Sequence, residues 1–262
     1  MYMIRTKLGF LKRILTDSVY SDDIYNRFFE TKEYPSEAIM EEVIASSIDT
    51  HRLEGTDWPV RGHTMIGLKR LNNIESSLDY IRENNIEGDI IETGVWRGGC
   101  CIFIKLYLDF YGMSKKVFVA DSFEGLPIPD TNVYPQDWGD EHYKQEALKI
   151  SLDTVKDNFK LYNALHDDNV VFLKGWFKDT LQDNKQIQKL AILRFDGDMY
   201  GSTMDVLNNL YKKVSKHGVI IVDDFGLPNC ARAIHDFRGA NNITEPYTHV
   251  DKYGIWWIKV NS

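Results

Sequence analysis

Cysteine is scarce in this chain: 262 residues hold three, Cys100, Cys101 and Cys230. The number is odd and two are adjacent, which excludes a disulfide framework and fits no zinc-ligand spacing. They read as small buried hydrophobes in a reducing compartment, so a cytoplasmic location is expected. Long apolar runs are missing too, and none approaches the ~18 residues of a membrane span. The opening stretch, "MYMIRTKLGFLKRIL", lacks the uninterrupted apolar core of a secretory signal, because Arg5, Lys7, Lys12 and Arg13 break it up. It reads as an amphipathic helix packed on the protein. Basic charge is also short: 31 Lys and Arg against 39 Asp and Glu give −8. That argues against a nucleic-acid partner, which usually needs a basic surface, and leaves room for a small ligand held locally.

What is present is a regular alternation that starts near residue 88. Short apolar runs at 88–95, 115–123, 169–176, 190–196 and 218–224 read as buried strands, since they lack period-two alternation. Between them, helices are expected at 98–112, within 141–164, within 178–188 and at 202–218, the last with Ser202 as N-cap and Gly218 as stop. A further helix is expected at 229–240, then two short strands joined through Lys252–Gly254. Alternating strands and helices imply an α/β fold with a doubly wound, mostly parallel sheet. No helix separates the closing strands, so the last strand should be antiparallel. Residues 1–60 show no such alternation. "DIYNRFFE" and "SEAIMEEVIASSID" look helical and suggest an N-terminal helical extension or lid ahead of one domain at 61–262.

In a doubly wound sheet, ligands bind beyond the carboxyl ends of the strands. The acidic residues gather there. Glu92, Asp121, the pair Asp196 and Asp198, and the pair Asp223 and Asp224 each close an expected strand. After Glu92 comes "TGVWRGG", where Gly94 permits a tight turn and Gly98 and Gly99 open a helix whose free N–H groups favour a negative ligand group. The spacing is G-x-x-x-G-G. A dinucleotide fingerprint is G-x-G-x-x-G, so a smaller nucleoside ligand fits better. Asp121, 27 residues past Gly94, can accept both ribose hydroxyl protons. Asp196 and Asp223 are also 27 residues apart, one strand–helix–strand step, which places Asp196, Asp223 and Asp224 within reach of one ion. Oxygen ligands without His or Cys suit a hard cation such as Mg²⁺. Any one of these aspartates could instead cap a helix or pair with Arg194, Arg97 or Arg232. Four at two adjacent strand ends favour the ion. If the chain stays extended, Asp198 shares a face with Asp196 and can ligate or serve as general base, with His235, Tyr200 and His63 as rivals. Trp176 reads equally as a stacking platform or as core.

Six segments then carry a resemblance, in order and at matching spacing: "RGHTMIGLKRLNNI", "IIETGVWRGG", "VFVADSFEGLP", "FLKGWFKDTL", "LRFDGDMYGST" and "GVIIVDDFG". Over about residues 60–260 the chain resembles the macrocin O-methyltransferase (TylF-type) family, which methylates sugars of natural products using S-adenosylmethionine (SAM) and Mg²⁺. The likeness extends to the noviose 4-O-methyltransferase of aminocoumarin antibiotic synthesis. It implies a class I SAM-methyltransferase, Rossmann-like fold and an O-methyltransferase acting on a deoxysugar or glycosylated natural product. By position it implies that Glu92 and Gly94 meet the methionine end of SAM, Asp121 and Ser122 the ribose, and Gly175 and Trp176 the adenine side. Thr64 and Met65 lie over the cofactor. Asp196, Asp223 and Asp224 hold Mg²⁺ or Mn²⁺, and Asp198 is the base. One position departs: after Tyr200 many members carry an acid, where this chain has Gly201. A small-molecule sugar or glycoside is the expected partner, with no nucleic acid or membrane, and a homodimer through the N-terminal helices is compatible. Other readings are a phenol or catechol acceptor, a nucleotide- or NAD-binding protein without methyl transfer, and a catalytically dead scaffold.

Overall fold

The apolar runs form one seven-stranded sheet in the computed structural model, which describes residues 2–18 and 50–260. The strands are β1 (Asp89–Thr93), β2 (Val117–Asp121), β3 (Val170–Lys174), β4 (Leu190–Phe195), β5 (Val214–Val222), β6 (Thr248–His249) and β7 (Ile255–Ile258). Their order is β3-β2-β1-β4-β5-β7-β6. The first five pair in parallel; β7 runs antiparallel to β5, and β6 antiparallel to β7, as expected for the closing strands. β2 and β3 lie on one side of β1 and β4 and β5 on the other, so the strand order reverses at β1. The crevice at this reversal is the ligand position of such sheets.

Eight α-helices are described: α1 (Tyr2–Leu15), α2 (Thr50–Glu54), α3 (Gly67–Glu83), α4 (Gly99–Phe110), α5 (Leu152–Leu161), α6 (Phe177–Thr180), α7 (Tyr200–Leu210) and α8 (Pro228–Ala240). They cover both sheet faces. Successive strand residues point to opposite sides, so Ile90 joins a core with Leu71 and Leu78 of α3 and Phe103 of α4. Its neighbour Ile91 joins the other core, with Val206 and Leu210 of α7 and Ile234 of α8. Burial on both faces is why the strands carry no polar alternation. The α1 helix adds Leu8, Leu11 and Leu15 to the first core. Its bases meet acids of α3: Arg5 reaches Glu75 at 2.5 Å and Asp79 at 2.6 Å, and Lys12 reaches Glu75 at 2.6 Å. No helix among the described residues is long and apolar enough to cross a membrane. The helices expected at 23–30 and 36–49 lie outside the described residues.

Three expected elements differ. Much of 141–164 is not helix: short 3₁₀ turns at His142–Lys144 and Glu146–Leu148 precede α5. No side chain in either turn is buried, and a helix without a face to bury gains little from packing. The Ser151 hydroxyl caps α5 by accepting the Thr154 N–H at 3.1 Å. Ser202 is not a cap either, because α7 already begins at Tyr200. Gly218 does not stop a helix. It lies inside β5, where the pairing with β4 shifts register, and a Cβ there would stand 2.9 Å from the Ser215 carbonyl oxygen and 3.1 Å from that of Ala191.

Candidate active site

The twelve residues to which the resemblance gives a role all line one cavity of about 520 Å³ at the carboxyl ends of the strands. The floor is the turn after β1. Gly94 has φ +81°, and a Cβ there would run into the Asp196 carbonyl oxygen. Only glycine lets the turns after β1 and β4 approach so closely. The Gly99 N–H then donates to the His63 carbonyl at 2.8 Å. Arg97 donates to the carbonyls of Pro59, Val60 and Gly62 at 2.8–3.0 Å. These bonds lay the segment before α3 across the start of α4 and bring Thr64 and Met65 to the cavity. Thr64 Oγ1 lies 3.2 Å from Cys100 Sγ.

Asp121, at the end of β2, accepts the N–H of Val95 at 2.8 Å and of Phe123 at 2.7 Å. Burial pushes its pKa up and these donors oppose the rise. One N–H on each oxygen fixes the carboxylate and leaves lone pairs for further donors. The Ser122 hydroxyl is engaged locally, donating to the Gly125 carbonyl at 2.6 Å. Gly175, with φ +139°, donates its N–H to the Asp121 carbonyl at 2.9 Å. Trp176 is half-buried and lines the cavity.

The acidic rim divides into two groups. In the first, single carboxylate oxygens of Asp196, Asp198 and Asp224 all lie within 4.8 Å of one another. The chain does not stay extended here. Asp198 is left-handed, with φ +55°, and its N–H donates to Asp224 Oδ2 at 3.0 Å. Burial and mutual repulsion push Asp198 and Asp224 up to about 8, and Asp196 well above the carboxylate range. Three crowded oxygen donors whose ionisation is suppressed by their own repulsion fit a hard divalent cation. The other acidic group of comparable spacing among the described residues, Asp109, His166 and Asp167, already holds a cation, the Lys105 ammonium, at 2.5 Å from Asp109 and 3.0 Å from Asp167.

Asp223 faces elsewhere. Its backbone continues β5, with its N–H on the Phe195 carbonyl at 3.0 Å, so it and Asp224 point to opposite sides. Its oxygens receive Arg194 at 2.5 Å and Arg70 at 2.5 Å, and the two guanidiniums hold its pKa below the ordinary range. Arg194 also grips Glu92, and it reaches Asp196 at 3.3 Å. The other Glu92 oxygen accepts the Cys101 thiol at 2.7 Å. So the grouping expected from sequence, Asp196, Asp223 and Asp224 with Asp198 beside them, appears as Asp196, Asp198 and Asp224, with Asp223 clamped by arginines.

Other groups carry no local sequence signal. Asp137, from the long segment after β2, accepts the N–H of Tyr200 at 2.7 Å and of Gly201 at 2.8 Å, which caps α7 from some sixty residues away. A Cβ on Gly201 would lie 2.7 Å from the Tyr134 ring and 3.1 Å from Asp137 Oδ2, so that position has no room for an acid. Asp140 accepts from His142 Nδ1 at 3.0 Å, and His142 lines the cavity. The rivals to Asp198 are occupied: the His63 ring pairs with the Tyr162 hydroxyl at 2.8 Å, His235 packs edge-on against Phe225, and the Tyr200 hydroxyl donates to Asp236 at 3.0 Å.

Comparison with known proteins gives the same direction. The sequence profile of the family described as Macrocin-O-methyltransferase (TylF) matches residues 5–259. The chain is 39% identical over 254 residues to the mycinamicin III 3''-O-methyltransferase of Micromonospora griseorubida, covering 95% of this chain and 94% of that one. It is 40% identical over 256 residues to the demethyldecarbamoylnovobiocin O-methyltransferase of Streptomyces niveus, covering 95% and 92%. The solved structure of the O-methyltransferase NovP superposes with a TM-score of 0.82 at 38% identity, over 98% of this chain and 99% of that one.

Proposed function

The chain belongs to the macrocin O-methyltransferase (TylF) family and is a SAM-dependent O-methyltransferase; on that premise we propose that it methylates a hydroxyl on the sugar of a glycosylated natural product, with a divalent cation, Mg²⁺ or Mn²⁺, at the acidic rim. The observation that carries this reading is the crowding of Asp196, Asp198 and Asp224 in the same cavity as the Gly94 turn and Asp121. The relatives above are named for methylating mycinamicin III and demethyldecarbamoylnovobiocin, and a relative from Streptomyces olivaceus is named for a rhamnosyl tetracenomycin.

Each residue has a part in this reading. Glu92 and Gly94 line the part of the cavity that would take the methionine end of SAM, since the N–H groups of Gly98 and Gly99 are already used by the Val95 and His63 carbonyls. Asp121 accepts the ribose hydroxyls on its remaining lone pairs, and Trp176 offers a ring face to the adenine. Asp196 and Asp224 would hold the cation, and Asp223, held by Arg194 and Arg70, would join as third ligand only on release from an arginine. Mg²⁺, once bound, would supply the positive charge that offsets the rim and acidifies the acceptor hydroxyl. Asp198 takes the hydroxyl proton onto a carboxylate oxygen. The hydroxyl oxygen forms its bond to the methyl carbon as the carbon–sulfur bond breaks, and the electron pair stays on sulfur, leaving S-adenosylhomocysteine (SAH). Burial and the charges of Asp196, Asp140 and Asp223 raise Asp198 to about 8, and a cation held beside it would favour the ionised form that can accept a proton. Holding acceptor and donor in line contributes on the order of 7–11 kcal/mol in favourable cases.

Thermal unfolding with SAH or with NAD, each with and without Mg²⁺, tests this first. A ligand at 100 times its Kd adds roughly 2.7 kcal/mol. A shift with SAH that Mg²⁺ extends supports the reading, and a shift with NAD alone overturns it. A methyl-transfer screen over sugar glycosides and catechols then decides the acceptor; transfer to catechols alone would replace the sugar.

A further inference from the structure

Asp223 is clamped by two guanidiniums that differ in freedom. Arg194 is wholly buried and also grips Glu92, so its position is fixed by two acids on adjacent strands. Arg70 comes from α3, a few residues past Thr64 and Met65, and sits between two carboxylates, with Nη1 2.5 Å from Asp223 and Nε 2.8 Å from Asp251. Asp251 is itself built to hold a cation. Its other oxygen accepts the N–H groups of Tyr253 and Gly254, each at 2.8 Å, and its side chain is almost fully buried. The Tyr253 ring lies 5.6 Å from the Arg70 guanidinium carbon.

We propose that Arg70 is an exchangeable counter-ion of the cation site: it neutralises Asp223 until a divalent ion takes that carboxylate, and Asp251 retains it when it lets go. The proposal rests on the reading that the rim holds a divalent ion. Asp223 stands apart from the Asp196, Asp198 and Asp224 cluster, with Arg70 on one of its oxygens. A buried carboxylate is stabilised by cations beside it, and Arg70 supplies the second at Asp223 after Arg194. The same cation must then be displaced, and Arg70 and the ion compete for one group. Asp251 acts on the ion only through Arg70, which makes it a positioning residue.

Mn²⁺ titration calorimetry on the full chain, in the wild type, Arg70→Met, Asp251→Asn and the double variant, tests this. Arg70→Met should tighten Mn²⁺ binding by on the order of tenfold, because a unit charge close to a ligand carboxylate is removed. Asp251→Asn should weaken binding, since Arg70 then has Asp223 as its sole acid of the pair. The double variant should match Arg70→Met alone. Additive effects in the double variant would mean that both residues act as distant charges, and would overturn the exchange. An unchanged or weaker Arg70→Met would do the same. If Arg70→Met does not fold, Asp251→Asn stands by itself, and wild-type affinity in that variant overturns the proposal. No Mn²⁺ binding by the wild type would instead refute the metal reading of the rim.

Discussion

Replacing Arg194 with Met should destabilise the protein more than any surface change, and the structure sets the size. The guanidinium is wholly buried and touches Glu92, Asp223 and Asp196. Met has similar length and no charge. Asp223 keeps Arg70, so the group left without a cation is Glu92, which is 1% exposed. Removing one partner of a buried ion pair costs about 3–5 kcal/mol. Set against a total stability of roughly 5–15 kcal/mol, that is a large share. For a chain of this size, each kcal/mol moves Tm by roughly 2–4 °C, so Tm should fall by roughly 6–20 °C. Urea and thermal unfolding of Arg194→Met measure the loss. A companion, Arg194→Met with Glu92→Gln, should recover most of it, because a neutral amide costs less to bury than a carboxylate. A single variant within about 1 kcal/mol of wild type, or a double variant with no recovery, would refute the view that Arg194 is the internal partner of the strand-end acids.

Asp198→Asn should lower kcat by about 10²–10⁴-fold while the thermal shift given by SAH stays as in wild type; near-normal turnover would remove Asp198 as base. Asp137→Ala strips two N–H groups at the start of α7 of their acceptor and should cost about 1 kcal/mol in urea unfolding, with no loss at all counting against the long-range cap. The stabilisation by Mg²⁺ should depend on pH. Asp198 and Asp224 have folded pKa values raised to about 8, so the stability they lend is present at low pH, when both are protonated. It is lost as pH rises through about 8. An ion that favours the ionised forms should therefore raise Tm more at pH 8 than at pH 5, as differential scanning calorimetry would read. A shift that is flat over that range would contradict the crowding.

The sheet was legible because buried parallel strands leave a plain trace: apolar runs that stop at Glu92, Asp121, Asp196 and Asp223. Local pattern also located the helices that bury a face, such as α4 and α8. It failed where the deciding partner was remote. Ser202 looked like a cap because it precedes an apolar period, yet Asp137, far back in the chain, sets the start of α7 at Tyr200. Gly218 looked like a helix stop, and its conformation instead answers to the Ala191 carbonyl across a β-bulge. The rim was legible as a set of acids, but its division was not. Which of Asp223 and Asp224 faces Arg70 depends on strand pleat and on a residue 153 positions away.

The contact between Asp137 and the start of α7 has a consequence for how acceptor range can diverge. The stretch between β2 and α5 supplies much of the cavity wall, including Ile128, Val133 and Tyr134. Its fastenings include Asp137 on α7 and the Trp96 indole N–H on the Ala147 carbonyl at 2.9 Å. It can be treated as a part to be grafted between relatives, with Asp140 kept because its charge acts on Asp198. The graft has one rule of fit. Tyr134 and Asp137 fill the space that a side chain at residue 201 would need. A transplanted loop must therefore be matched to residue 201, as a key is cut to its ward.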